Sequence, residues 1–569
     1  MASTEISSRR EQFLALTIAL LAVVLPLILH SLRSLDDNRL VSWGQVANLV
    51  PPVLPLAGLL LMVPIAYGLA RFPLPGPPLL FPLAFLASTL FWGMPETIVD
   101  AARYFTQAKH LAVYGPGFFL GEWGNQIDAW TDLPLLPLLY GLIFKYAGEV
   151  RLYAQILNSL LFAMAVTTTA LLATELWDRE IGDLAGVLLL AVPYLFTQTP
   201  LLLVDIGAMA FLLLAAYLFL IALRRGGLLL IGASALAILL AFCSKYSVWP
   251  MLSILGVEFL LVLREAPAAT LRRGWLIAGL TGLLLAPIAL YYAEVIAGQL
   301  TLLREFQRPG LRAWGESFLS TFLFQTHPFV TVGAVASLVL ALSRRDPRYL
   351  VAAWLLLLFI PGMQVRRIRY LVPLFPLLAI MAAYGFSAIG SARLRRFAAY
   401  CAAGGSLVIA QTAYLPFLQS HSLANLKAAG AFMDSLAGQT FLVETTPPRS
   451  VVNPAVAVPL LDLYTRKTIH YDYRAMGKPA EEDLARLSLR FTWSYSNPPY
   501  YPPPAGLAPD ALVIIWGAGE TYPPKYHYSL AKKFTRSEKI YSFQTHVGIF
   551  LPREQPAEVR PVPGSAPGY

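Results

Sequence analysis

The residues best suited to chemistry in this chain are acids and bases at the ends of apolar runs. In "DAARYF", Asp100, Arg103 and Tyr104 follow an apolar run that stops near Met94, with Glu96 just before them. The next stretch, "GEWGNQIDAWTDLPLLPLLYG", adds Glu122, Asp128 and Asp132, and Asp205 sits in "LLLVDIGAMAF". Bases accompany them: Lys245 in "FCSKYS", and Arg366, Arg367 and Arg369, followed by Tyr370, in "GMQVRRIRY". Ionisable groups in or beside hydrocarbon are costly and tend to be functional. A carboxylate can take a proton from an attacking hydroxyl. Arg grips a phosphate through two parallel hydrogen bonds, and Lys adds a point charge. Together the two sets suit chemistry on a phosphate-bearing substrate, with cations stabilising the leaving phosphate. Plainer roles stand beside these. Asp132 in "TDLP" fits a helix N-cap, Asp205 a cap or an inter-helix hydrogen bond, and Asp100 a solvated acid in a first helical turn.

The elements that must position these groups are membrane helices. Of 569 residues, 57% are hydrophobic and only 13% charged, against about 25% charged in soluble domains. Apolar stretches of about 20 residues, enough to cross hydrocarbon as helices, recur down to Leu418. We expect about thirteen spans: 13–33, 46–70, 78–94, 151–175, 184–200, 201–223, 228–244, 246–263, 274–297, 318–342, 349–364, 370–390 and 398–418. Segment 133–148 is short and proline-broken and reads as lying on, or dipping into, the outer surface. The apolar run from Phe13 lacks an evident cleavage site and reads as a retained first helix. Cys243 and Cys401 are far apart and offer no disulfide framework or metal pair.

The net charge of +10 does not indicate nucleic acid, because most Arg residues sit in short loops between apolar runs. Such loops orient a membrane protein. Arg9 and Arg10 place the N-terminus in the cytosol, and alternation then puts Arg71, Arg179, Arg224–Arg225, Arg264, Arg272–Arg273, Arg344–Arg345 and Arg393–Arg395–Arg396 on the same side. The odd count places the C-terminal region outside the cytoplasmic membrane. Lys245, Arg304, Arg308, Arg312, Arg366, Arg367 and Arg369 fall on the outer side against this bias. Either the count slips by one, or an anionic ligand binds there. In "ETIVDAARYFTQAKHLAV" the spacing of Ile98, Ala102, Phe105, Ala108 and Ala112 predicts an amphipathic helix in the membrane interface.

Four segments, taken in order, resemble the GT-C superfamily of membrane glycosyltransferases, within it the protein O-mannosyltransferase and aminoarabinose lipid A transferase group. "DAARYF" is similar to the family's D-E-x-R-Y, with Asp100, Arg103 and Tyr104 in register. "TDLPLLPLLYGLIFKYAGE" resembles its Pro- and Leu-rich segment. "LWDREIGDLAGVLLLAVPYLFTQTPLLLVDIGAMAFLLLAAYLFL" resembles the following helices, with Asp205 at a helix start, and "RRIRYLVPLFPLLAIMAAYG" its late R-Y-x-x-P-x-x-P segment. The likeness covers roughly residues 78 to 420 and implies helices around an outward-facing cavity. It also implies a polyprenyl-phosphate sugar donor and transfer, without a metal or other cofactor, to a lipid, glycan or protein acceptor on the outer face. Attack from the opposite face would invert the anomeric centre. Asp100 would be the general base, and Arg369, Arg366, Lys245 and Tyr370 would hold the donor phosphate. Arg103, Tyr104, Glu96, Glu122, Asp128, Asp132 and Asp205 are substrate-binding candidates. Ala101 stands where the family often has Glu, which would move that role to Glu96, Glu122 or Asp132. "EWGNQIDAW" reads equally as a sugar-stacking loop or as part of the interfacial aromatic belt.

The expected domains are two extra helices over 1–77, a catalytic core over 78–420 with its first outer loop at 95–150, an extracytoplasmic α/β domain over 421–555, and a flexible Pro-rich tail over 556–569. In the α/β domain, "AAGAFMDSLAGQTFLVETTP" reads as helix then strand and "DALVIIW" as a buried strand. "AEEDLARLSLRF" reads as an amphipathic helix and "KIYSFQTHVGIFLP" as closing strands. His470, His527 and His546 lack metal-ligand spacing. Two other readings compete with the transferase. A flippase for a lipid-linked anion would want broken helices and midplane polar sites, and a non-catalytic envelope-assembly partner on a transferase scaffold would fit the altered Ala101 position.

Overall fold

The computed structural model describes residues 2–553, apart from 131, 303, 306–314, 422, 447–451, 476–478, 487–488, 518–519, 523–524, 526 and 536–543. The expectations for Arg308, Arg312 and the 556–569 tail lie outside the described residues. The chain divides into two compact units, Met1–Ser422 and Leu423–Tyr569.

The first unit is a multi-pass helical membrane body. Among the described residues, seven helices are long and apolar enough to cross a bilayer, or eight if one bent pair counts as a single span. Five shorter apolar helices accompany them, including Pro77–Thr89, Leu228–Ser244 and Pro328–Arg344. The bends have local causes. The span expected at 46–70 is two helices, Trp43–Leu49 and Val53–Leu69, set 108° apart around Pro51 and Pro52, because proline cannot continue the helical ladder. The span expected at 184–200 is broken in the same way: Arg179–Leu189 stops before Pro193, which opens Pro193–Gln198 as its first residue.

Burial sorts the helices. Arg151–Leu176, Asp205–Arg225 and Phe375–Phe386 are inside, the last with every residue buried, as befits a helix apolar on all sides. Pro267–Tyr291 is mostly exposed and apolar, which suits lipid contact. Pro328–Arg344 packs on Phe375–Phe386 so closely that a Cβ on Gly385 would stand 2.1 Å from the Gly333 carbonyl oxygen. Small residues permit that backbone approach.

The helix predicted across 96–113 is observed as Asp100–Tyr114. It packs against Leu135–Ala147 and buries nine residues, including Arg103, Gln107 and His110. It is therefore walled in by protein on most sides.

The second unit holds a five-stranded sheet. In chain order the strands are β1 (Thr440–Thr445), β2 (Thr468–His470), β3 (Ala511–Gly517), β4 (Tyr528–Phe534) and β5 (Thr545–Pro552), arranged β2-β1-β3-β5-β4. β1 runs parallel to β2 and β3, and β5 is antiparallel to β3 and β4. Central β3, the predicted "DALVIIW" strand, is buried throughout. Of the predicted 480–491 helix, Glu481–Arg486 is helical and Arg490 opens a short 3-10 helix, with residues 487–488 lying outside the described residues. The closing segment contributes β5, its earlier residues 539–543 lying outside the described residues.

Candidate functional site

Four segments meet at one end of the helical body. Asp100 is the first residue of Asp100–Tyr114, and Asp205 is the first of Asp205–Arg225. Acids in a first turn face the positive end of the helix dipole. Lys245 follows the last residue of Leu228–Ser244 in an extended conformation, and Arg369 sits in the single turn Ile368–Leu371 ahead of Phe375–Phe386.

Their side chains form one chain of charge. Arg369 donates from Nη1 to Asp100 Oδ2 at 2.8 Å and from Nη2 to Asp205 Oδ2 at 3.1 Å. Lys245 Nζ donates to Asp205 Oδ1 at 2.6 Å and lies 5.1 Å from the centre of the Tyr370 ring. Beside this row, Arg103 pairs with Asp132 at 3.5 Å and lies 4.6 Å from the Tyr104 ring centre. Asp205, with one cation on each oxygen, holds Arg369 and Lys245 side by side against their repulsion. Burial works to raise the Asp100 carboxyl, but Arg369, then Arg103, outweigh it and hold it below the usual carboxylate range.

The plainer roles for Asp132 and Asp100 do not match the structure, whereas the inter-helix hydrogen bond expected of Asp205 is present. Helix Leu135–Ala147 is capped at Pro134, so Asp132 is not its cap. Asp205 caps nothing through its side chain and ties helices together instead. Asp100 is paired, with only 20% of its side chain exposed.

Glu96 has a different setting. It is fully buried, accepts from Arg151 Nε at 2.8 Å, and accepts from the Leu202 backbone N–H at 3.1 Å. Residues 200–204 form a buried turn whose polar backbone needs partners. Gln155 donates to Pro200 O and Asn158 to Leu201 O, and the Tyr140 hydroxyl lies 2.7 Å from Leu203 O. The turn leads directly into Asp205, so this set fixes where that carboxylate stands. Sequence reasoning passed over Arg151, Gln155 and Asn158, although their i, i+4, i+7 spacing on an apolar helix was a signal of one polar face.

The aromatic loop is folded on itself. Trp123 is buried and donates from Nε1 to Asp132 O at 3.2 Å, and Gln299 donates to Ala129 O and Asp132 O at 2.9 Å each. Trp123 thus belongs to a local apolar cluster and, 3% exposed, leaves no ring face open. Glu122 accepts from Asn125 at 2.7 Å in its own loop, and the Asp128 carbonyl accepts from Gln107 at 2.6 Å. Arg366 is exposed, 5.9 Å from the Phe318 ring centre. The structure therefore unites Asp100, Asp205, Lys245, Arg369 and Tyr370, with Arg103, Tyr104 and Asp132 adjoining. Among the described residues no group of three or more His, Cys, Asp or Glu is placed to hold a metal ion.

Among solved structures, this chain shares its fold with ArnT. ArnT from Cupriavidus metallidurans, solved bound to undecaprenyl phosphate, matches with a TM-score of 0.53 at 14% identity, over 83% of this chain and 97% of that one. The same protein in its apo state matches with a TM-score of 0.51 at 12% identity, over the same shares. An Archaeoglobus fulgidus oligosaccharyltransferase, in complex with Zn and sulfate, overlaps at a TM-score of 0.41 and 14% identity, over 76% of this chain and 67% of that one. No protein-family profile and no curated protein matches the sequence.

Proposed function

We propose that this chain is a glycosyltransferase that moves a sugar from a polyprenyl-phosphate carrier to a lipid, glycan or protein acceptor at the outer face of the cytoplasmic membrane. The observation that carries the reading is the 2.8 Å contact between Asp100 and Arg369, groups 269 residues apart that meet in one buried cluster. A base and a phosphate-binding cation belong side by side when a hydroxyl must attack as a phosphate leaves.

In this reading the acceptor oxygen forms a bond to the anomeric carbon while the bond from that carbon to the phosphate oxygen breaks. The acceptor proton passes to Asp100, and the bonding pair leaves with the polyprenyl phosphate. Arg369 and Lys245 meet the developing charge, and attack from the opposite face inverts the centre. The Arg369 Nε–H is buried and has no hydrogen-bond partner among the described residues.

Charge balance sets the order of events. Asp100 and Asp205 neutralise Arg369 and Lys245, and Asp132 neutralises Arg103. A carboxylate held by Arg369 is a weak base, and these three cations are balanced by these three acids. Donor phosphate must therefore compete with Asp100 for Arg369. Its arrival both seats the donor and frees the base. Glu96, closed in by Arg151 and Leu202 N–H, positions Asp205 in this scheme.

The experiment is transfer by purified full-length protein with a panel of polyprenyl-phosphate sugars, read by product mass. Asp100→Asn should lower turnover at least 100-fold, within the range of a lost general base, while donor binding persists. Wild-type turnover by that variant would remove Asp100 from the mechanism.

A further inference from the structure

At the end of the helical body away from Asp100, a cavity of about 600 Å³ opens between helix termini, lined by Trp177, Tyr384, Arg344, Arg345, Arg348 and Arg395 with three acids. We propose that it binds the headgroup of an acidic phospholipid, a phosphodiester anion, through Arg344 and Arg345.

The argument begins with the connector "RRDPR", residues 344–348. Helix Pro328–Arg344 ends in Arg345, whose φ of 50° is left-handed. The Asp346 N–H returns to Ala341 O at 3.2 Å and the Arg345 N–H to Leu342 O at 3.3 Å. These are the two bonds of a Schellman turn, where glycine is the usual residue because it takes this conformation without strain. Arginine here is a poor choice for the turn itself, and an arginine in a strained conformation beside a cavity invites a functional explanation.

The three acids in the lining are already occupied. Asp346 accepts from Arg348 Nε at 2.8 Å, Arg348 Nη2 at 2.9 Å and Trp177 Nε1 at 2.7 Å. Glu180 accepts from Arg395 at 2.6 Å, and Asp178 accepts from the Ile181 N–H as the cap of its helix. Arg344 and Arg345 are exposed and have no carboxylate within ion-pair distance among the described residues. Arg344 lies 5.7 Å from the Tyr384 ring centre, which holds it at the cavity wall.

The occupant follows from place and size. The cavity lies between the ends of apolar helices, with Trp177 and Tyr384 in its wall. Aromatic rings of that kind mark the level of lipid headgroups, and basic pockets between helix ends there suit anionic headgroups. A volume of about 600 Å³ exceeds the needs of a lone phosphate and falls in the range of pockets for larger ligands. Orientation of the chain by its basic loops alone would call for the charges but not for the cavity or the strained turn.

The test uses full-length protein in detergent, titrated with short-chain phosphatidylglycerol, with short-chain phosphatidylcholine, or with inorganic phosphate, and read by native mass spectrometry. Wild type should retain phosphatidylglycerol over phosphatidylcholine, and Arg344→Gln with Arg345→Gly should lower that retention about tenfold or more. Arg345→Gly relaxes the turn, so the loss cannot be laid to misfolding, and an unchanged melting temperature checks this. Arg474→Gln, an 85% exposed arginine of the second unit, should leave retention unchanged. Undiminished phosphatidylglycerol in the double variant would overturn the proposal, as would an equal loss in Arg474→Gln. Displacement by inorganic phosphate at equal concentration would overturn the lipid assignment.

Discussion

The two ends of the helical body handle arginine in opposite ways. At the Asp100 end, Arg369 and Lys245 are 10% and 7% exposed and share Asp205, which is 1% exposed. At the other end, Arg224 pairs with Glu265 and Arg395 with Glu180, acids that are 45% and 48% exposed. Arg224 and Arg395 are themselves 19% and 14% exposed, but water reaches their acids whether or not the pairs form. In the first set each charge depends on its partner, since several kcal/mol of desolvation per ion must be met inside. The buried set is thus rigid and sensitive to any new charge, as a site for a phosphate should be, while the exposed set leaves Arg344 and Arg345 open.

The comparison can be broken most directly at Arg369. Arg369→Gln takes one cation from Asp100 and one of the two from Asp205 and should destabilise the protein by about 3–5 kcal/mol, seen as a large drop in thermal unfolding temperature. A loss under 1 kcal/mol would mean the cluster is wetter than its burial indicates. Glu96→Gln leaves Arg151 facing a neutral amide and should cost about 2–3 kcal/mol. It should leave the acid limb of the transfer–pH profile in place, because Glu96 positions Asp205 and takes no proton.

Acid sharpens the contrast by a smaller amount. The Asp100 carboxyl lies below its ordinary value in the folded protein, so the unfolded chain binds a proton first as pH falls. The stability it contributes is present above its unfolded value, about 4, and is lost as pH drops through the lower folded value. Melting temperature measured from pH 7 to pH 3 should fall on the acid side for wild type and fall less steeply for Asp100→Asn. Parallel curves would deny the Arg369 pairing. The smallest effect belongs to the exposed end. Arg395→Ala should change stability by no more than about 1 kcal/mol, and a loss like that of Arg369→Gln would erase the distinction between the ends.

Composition and periodicity alone required a multi-pass helical body, since runs of about 20 apolar residues have no other way to satisfy their backbone in lipid. The buried strand "DALVIIW" was equally legible from its β-branched run. Asp100, Lys245, Asp205 and Arg369 stood out because charge in apolar surroundings is rare and costly. Tertiary structure decided which of them meet. Periodicity describes a few turns of one helix and says nothing of a contact spanning 269 residues. It also could not show that Glu96 is closed in by Arg151, that Trp123 folds into its own loop, or that Arg345 spends backbone strain beside a cavity. Those outcomes depend on which buried polar groups find partners once the helices pack, a property of the assembled body and not of any one segment.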